Sequence, residues 1–136
     1  MLKDQLVHTP DIRNLDASDA RLASALRLWV VLSKLGRCPL QAVADRLESL
    51  RAAAHLHLLL EEVGAAWPDP FCIAPLCCSR LSHDEALAVA MVRAATAQDR
   101  PAFDRLLEEM IPADMRERLF LSAGMLGREL AYQAWP

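Results

Sequence analysis

The chain has 136 residues, of which 54% are hydrophobic, 24% charged and only 5% aromatic, with a net charge of −3. That length supports one domain with a single core. The acidic balance argues against a dedicated nucleic-acid binder, whose phosphate contacts draw on a basic surplus.

The apolar mass is mostly Leu and Ala, helix formers rather than strand formers, so the expected fold class is all-α. The apolar share also exceeds the ~45–50% usual for soluble chains, which points to a subunit that buries surface against a partner. The first residues, MLKDQLVHTPDIRN, carry acids early and lack a continuous apolar core, so they do not read as a signal peptide. Apolar runs such as Leu28–Leu32 fall far short of a membrane span, and neither end carries a lipidation box. Four cysteines without a secretion signal suggest reduced thiols, and the expected location is cytoplasmic.

Residues 1–16 read as an arm with apolar footholds at Leu2, Leu6, Val7, Ile12 and Leu15, interrupted by Pro10. A first helix is expected from Ser18 to Leu35, capped by Asp16 or Ser18 and stopped at Gly36. Arg21, Ser24, Arg27 and Lys34 form its narrow polar stripe, and the rest of its circumference is apolar, so it is buried on more than one face. Pro39 opens a second helical stretch that either runs to Val63 and stops at Gly64 or bends near Glu48–Ser49.

Residues 67–82 then form a linker holding three of the eight prolines and three of the four cysteines. Trp67 and Phe71 in WPDPF read as plugs between helices, because each proline pushes its predecessor out of helical geometry. Ser82 and Glu85 have the spacing of a capping box for a helix from His83 to Ala97. Asp99 caps a short fourth helix with Phe103, Leu106, Leu107 and Met110 inward. A fifth runs from Ala113 to Ala131, where Ala123, Gly127 and Ala131 make a smooth ridge suited to close helix contact.

Three stretches carry residue types that bear on a site. The run from Leu40 to Gly64 resembles the helix-turn-helix of bacterial transcription regulators, with Val43, Ala44 and Leu47 at core positions and Ala54 packing beneath them. Glu48 stands in place of the usual turn glycine, His57 in place of an aliphatic residue, and Arg51 is the only fixed cation of the supposed reading helix. Cys72, Cys77, Cys78 and His83 offer ligand types suited to zinc, but their spacing departs from common structural sites. Buried packing thiols are the favoured reading, and no metal or cofactor is expected. His55 and His57 sit two apart and cannot chelate together on a helix, so each is expected to make one hydrogen bond. No Gly-rich phosphate loop or nucleophile motif is present, and the acidic pairs fit helix caps or solvated faces, so no catalytic residues are assigned.

The combination Trp67-Pro68-x-Pro70-Phe71, Cys77-Cys78-x-x-Leu81-Ser82-x-Asp84-Glu85 and Ala94-Ala95-x4-Asp99-Arg100-Pro101-Ala102-Phe103 resembles a group of small bacterial proteins classed as domains of unknown function. The resemblance covers the second half of the chain and implies no activity. The resulting expectation is one domain, residues 1–136, built as a bundle of about five helices with the linker crossing between the second and third. Its role is that of a non-enzymatic interaction or regulatory module that self-associates as a homodimer or binds another protein. Trp29, Trp67, Phe71, Gly127 and Trp135 are the candidate contact residues. The alternatives are a transcription regulator using residues 40–64 and a Cys/His metal-binding protein.

Overall fold

Caps, prolines and left-handed turns cut the chain into six α-helices within residues 10–133, the residues described by the computed structural model (side chains of 132 and 133 excepted). They are α1 (Ala17–Lys34), α2 (Leu40–Leu47), α3 (Leu50–Ala66), α4 (His83–Thr96), α5 (Arg100–Leu107) and α6 (Ala113–Gln133). The fold is all-α. Among the described residues its sheet-like pairing is an isolated antiparallel bridge between Asp11 and Arg80.

Each boundary has a local cause. Asp16 caps α1 by accepting the Asp19 N–H at 2.8 Å. At its other end Gly36 takes φ +73°, while the Gly36 and Arg37 N–H groups return to the carbonyls of Ser33 and Leu32, a Schellman stop. Ser49 caps α3 through the Ala52 N–H, Asp99 caps α5 through the Ala102 N–H, and Ser82 with Glu85 completes the capping box of α4.

The second helical stretch is two helices rather than one. Glu48, at φ 58° and ψ 31°, turns left-handed between α2 and α3, and the Ser49 N–H reaches back to the Ala44 carbonyl at 3.0 Å. Gly64 does not end α3, which continues to Ala66 until Pro68 forces Trp67 into extended geometry.

The longest helix, α6, is the spine of the bundle, packed between α3 and α4, while α1 rests on α2 and α4 and α5 on α4. Leu119, Ala123, Leu126 and Leu130 recur at helical spacing along the face that α6 buries. Leu22, Leu26, Leu47, Leu56, Leu59, Met91, Phe103 and Leu107 fill the layer around it, each stabilising the fold by roughly 1.5–3 kcal/mol through burial. Leu106, expected inward, is 36% exposed, and Ala54 faces solvent while Ala52 and Ala53 take the buried positions. Met110 is only partly buried. Gly127 is buried: a Cβ there would stand 1.6 Å from Thr96 Oγ1, so its lack of a side chain is what lets α6 lie this close to α4, while Ala131 of the expected ridge is exposed.

The arm crosses the linker. The Ile12 N–H donates to the Ser79 carbonyl at 2.6 Å, the Leu81 N–H to the Pro10 carbonyl at 3.0 Å, and the Ser79 hydroxyl to Asp11 Oδ2 at 3.1 Å. The footholds Leu2, Leu6 and Val7, and also Trp135, lie outside the described residues.

Asp19, in the first turn of α1, is 7% exposed, and its Oδ2 forms no aligned hydrogen bond although Arg93 Nη1 lies 3.0 Å away. Burial, followed by the charge of Asp16, raises its pKa above the ordinary value against the pull of Arg93. A carboxylate whose folded pKa is raised costs stability when ionised, above that pKa, and the cost fades as pH falls toward the unfolded value. Asp19→Asn is therefore expected to melt higher than the parent chain at neutral pH, with the gain shrinking on acidification. Arg93, 64% exposed, loses little when the ion pair goes. A variant that melts lower at neutral pH would show the Asp19–Arg93 contact outweighing desolvation.

Candidate binding cleft

The linker gets its shape from two acidic residues and one buried cation. Arg27, placed by sequence on a polar stripe, is instead 2% exposed and forms an ion pair with the fully buried Glu85. Its Nε donates to Glu85 Oε2 at 2.6 Å and its Nη2 to Glu85 Oε1 at 3.1 Å. The remaining donors reach the carbonyls of Cys78 at 2.6 Å, Arg80 at 3.0 Å and Pro75 at 3.3 Å. Glu85 Oε1 also accepts the Ser82 N–H at 2.7 Å, so one carboxylate both caps α4 and neutralises the cation of α1. The guanidinium fork meets the carboxylate through two nitrogens and turns its other edge to the loop, a geometry Lys could not supply.

Next to Glu85, Asp84 holds the front half of the linker. Its Oδ2 accepts the Cys72 N–H at 2.8 Å and its Oδ1 accepts the Trp67 Nε1–H at 3.3 Å, while the Ser82 hydroxyl donates to the Cys72 carbonyl at 2.7 Å. Trp67 and Phe71 are thereby set ring to ring, with centroids 5.5 Å apart, both half-buried against the core.

Phe71 forms one wall of a cleft of about 600 Å³ between the C-terminal halves of α1 and α3. Its floor is apolar, with Trp29, Leu60 and Val63, and Gly64 leaves it open on the α3 side. A few polar groups stand at its edges: Ser33 and Lys34 on α1, His57 and Glu61 on α3. The His57 ring lies over Trp29 with centroids 5.1 Å apart, and its Nε2 is 3.7 Å from Glu61 Oε1, too far for a hydrogen bond. His55 points elsewhere, 3.9 Å from Glu129. An apolar concavity with few polar groups at its margin is the usual form of a binding site.

Of the five contact residues drawn from sequence, Trp29 and Phe71 line this cleft and Trp67 braces Phe71 from behind. Gly127 lies elsewhere, in the contact between α6 and α4. The ion pair of Arg27 with Glu85 escaped sequence reasoning, although the capping box already marked Glu85 and a cation in a helix buried on several sides needs a carboxylate.

The cysteines do not pack inside. Cys72 and Cys77 are exposed and Cys78 half-exposed, because the proline-rich linker carries them over the surface, and Cys38 is exposed in the turn before α2. Cys72, Cys77, Cys78 and His83 do not assemble: among the described residues no three His, Cys, Asp or Glu side chains are placed to hold one ion. The α2–α3 unit does have a tight turn between two helices, but Arg51 at the start of α3 lies 3.1 Å from Glu129, which offsets its charge. Among the described residues no helix is long and apolar enough to cross a membrane. No family model, no curated protein and no solved structure matches this chain.

Proposed function

We propose that this protein is a non-enzymatic interaction module that pairs with a second copy of itself across the cleft between α1 and α3. The observation that carries the reading is the cleft itself, an apolar floor open to solvent with a cation on one wall and a carboxylate on the other. A two-fold contact sets a patch against its own rotated image, so the charges such a patch carries must be of both signs. Lys34 and Glu61 meet that requirement, and Leu35 beside them is 67% exposed, an apolar knob at the rim. The case against catalysis is that no hydrogen bond joins Ser33, Lys34, His57 and Glu61 among the described residues into a poised acid–base or nucleophile pair.

Sedimentation over a range of concentrations tests the proposal. The parent chain is expected to dimerise, Lys34→Glu and Glu61→Lys each to weaken the dimer, and the two together to restore it. A monomer at high concentration would end this reading.

Gly64 offers a second handle, since a Cβ there meets nothing within 4 Å. Gly64→Ala is expected to raise stability by about 0.5–1 kcal/mol through helix propensity, whereas Gly64→Phe fills the cleft and abolishes pairing in a chain that still folds. The second reading, a transcription regulator, draws on the tight left-handed turn at Glu48 between α2 and α3. Salt-dependent retention on DNA that disappears in Arg51→Glu would favour it over self-association.

A further inference from the structure

The N-terminal end of α1 borders a second concavity, away from the cleft. A pocket of about 360 Å³ opens where the first turns of α1 meet the C-terminal parts of α4 and α6. Leu22 of α1, Val92 of α4 and Leu130 of α6 give it apolar walls, and Asp16, Asp19 and Arg93 supply its charge. Two acids against one cation leave the pocket with an excess of negative charge, and among the described residues Asp16 pairs with no cation of its own.

Asp19 is the group in this pocket that lacks a satisfied partner. It is 7% exposed, and its Oδ2 is buried without a hydrogen bond among the described residues. The α1 cap does not use this carboxylate, because Asp16 accepts the first-turn N–H, that of Asp19 itself. Arg93 Nη1 comes within 3.0 Å of Oδ2 but out of alignment, and its side chain is 64% exposed. A buried acceptor without an aligned donor is costly, and for a carboxylate the cost is larger than for a neutral group. An ammonium group carries three donors on a compact, freely turning centre, so it can align where a guanidinium tethered to α4 does not. The apolar walls favour a carbon tail over a bare metal ion, and among the described residues no three His, Cys, Asp or Glu side chains gather around one point.

We propose that this pocket binds a small organic ammonium ion, its N–H groups bonding Asp19 and its carbon tail lying against Leu22, Val92 and Leu130. Arg93 is the competitor: it turns out to solvent when the ligand enters and covers Asp19 again when the ligand leaves. The ligand gives Oδ2 the aligned donor that Arg93 does not supply. The site stands apart from self-association, since neither Lys34 nor Glu61 lines this pocket.

Titrations of the full chain followed by methyl NMR test the proposal, with n-butylammonium chloride as the probe and 1-butanol as its neutral counterpart. Butylammonium should shift the methyls of Leu22, Val92 and Leu130 saturably, and 1-butanol should bind about tenfold more weakly, the size of one charge-assisted hydrogen bond. Asp19→Asn, expected to fold at least as well as its parent, should weaken butylammonium binding by a similar factor. Arg93→Gln should strengthen it by about two- to fivefold, because an exposed ion pair no longer has to be broken. The absence of saturable shifts, equal binding of the two probes, or an affinity unchanged in Asp19→Asn would overturn the proposal. Weaker binding in Arg93→Gln would overturn it as well, since Arg93 would then hold the ligand rather than compete with it.

Discussion

Arg27→Ala is expected to destabilise the fold by about 3–5 kcal/mol, the cost of leaving a buried carboxylate without its partner. Glu85 would keep only the Ser82 N–H, and the carbonyls of Pro75, Cys78 and Arg80 would lose the donors that organise the loop. For a domain whose whole margin is of order 5–15 kcal/mol, that loss brings it close to unfolding. Glu85→Ala should cost a similar amount, because it strands the cation and removes the half of the α4 capping box that accepts the Ser82 N–H. The informative variant is the double replacement Arg27→Met with Glu85→Leu. Replacing both ions by apolar groups is often neutral in a buried pair. Here the double variant should recover only part of the loss, since the Cys78 carbonyl and the Ser82 N–H lose their partners while the Pro75 and Arg80 carbonyls keep only the Cys78 N–H and the Cys78 thiol. Full recovery in urea titrations would show that the pair serves only itself and that the linker holds without it.

The second large effect is steric. Gly127→Ala puts a methyl 1.6 Å from Thr96 Oγ1 and 2.8 Å from its Cβ, so Thr96 or the helix spacing has to shift. Helix propensity favours alanine by about 1 kcal/mol, yet overpacking a close helix contact costs about 1–3 kcal/mol and occasionally more. Thr96 can move only by giving up the hydrogen bond from its hydroxyl to the Val92 carbonyl at 2.6 Å. The net expectation is a loss of about 1–2 kcal/mol, largely recovered when Thr96→Ala is added. A Gly127→Ala chain that is more stable than its parent would mean that α4 and α6 separate more easily than their close approach implies.

Local signals carried much of the architecture. The capping box at Ser82 and Glu85, the caps at Asp16 and Asp99 and the prolines of the linker act over a few residues, so their spacing alone set the helix starts. The break at Glu48 is harder to place: a glutamate in left-handed geometry has no composition cue, and the sequence leaves an unbroken helix to Val63 and a bend near Glu48–Ser49 equally open.

Long-range pairing explains the larger misses. Arg27 recurs with Arg21 and Ser24 at the spacing of a solvent-facing stripe, and its partner lies 58 residues away. The thiols misled for the opposite reason. Cysteine is commonly buried, but the backbone of Trp67–Ser82 is held at the surface by Asp84 and Arg27, and the side chains go with it. The cleft was half-visible, as the aromatic residues Trp29, Trp67 and Phe71, while its open side depends on Gly64, which sequence assigned to a helix stop.

Because Arg27 reads the loop at three separate peptide groups and then at Glu85, the stretch from Pro75 to Glu85 has a fixed count of residues. Surface loops ordinarily absorb insertions and deletions at small entropic cost. Here one residue more or fewer would shift every carbonyl out of register with a cation that cannot follow it. An insertion or deletion is therefore expected to be tolerated better before Pro75 than after it.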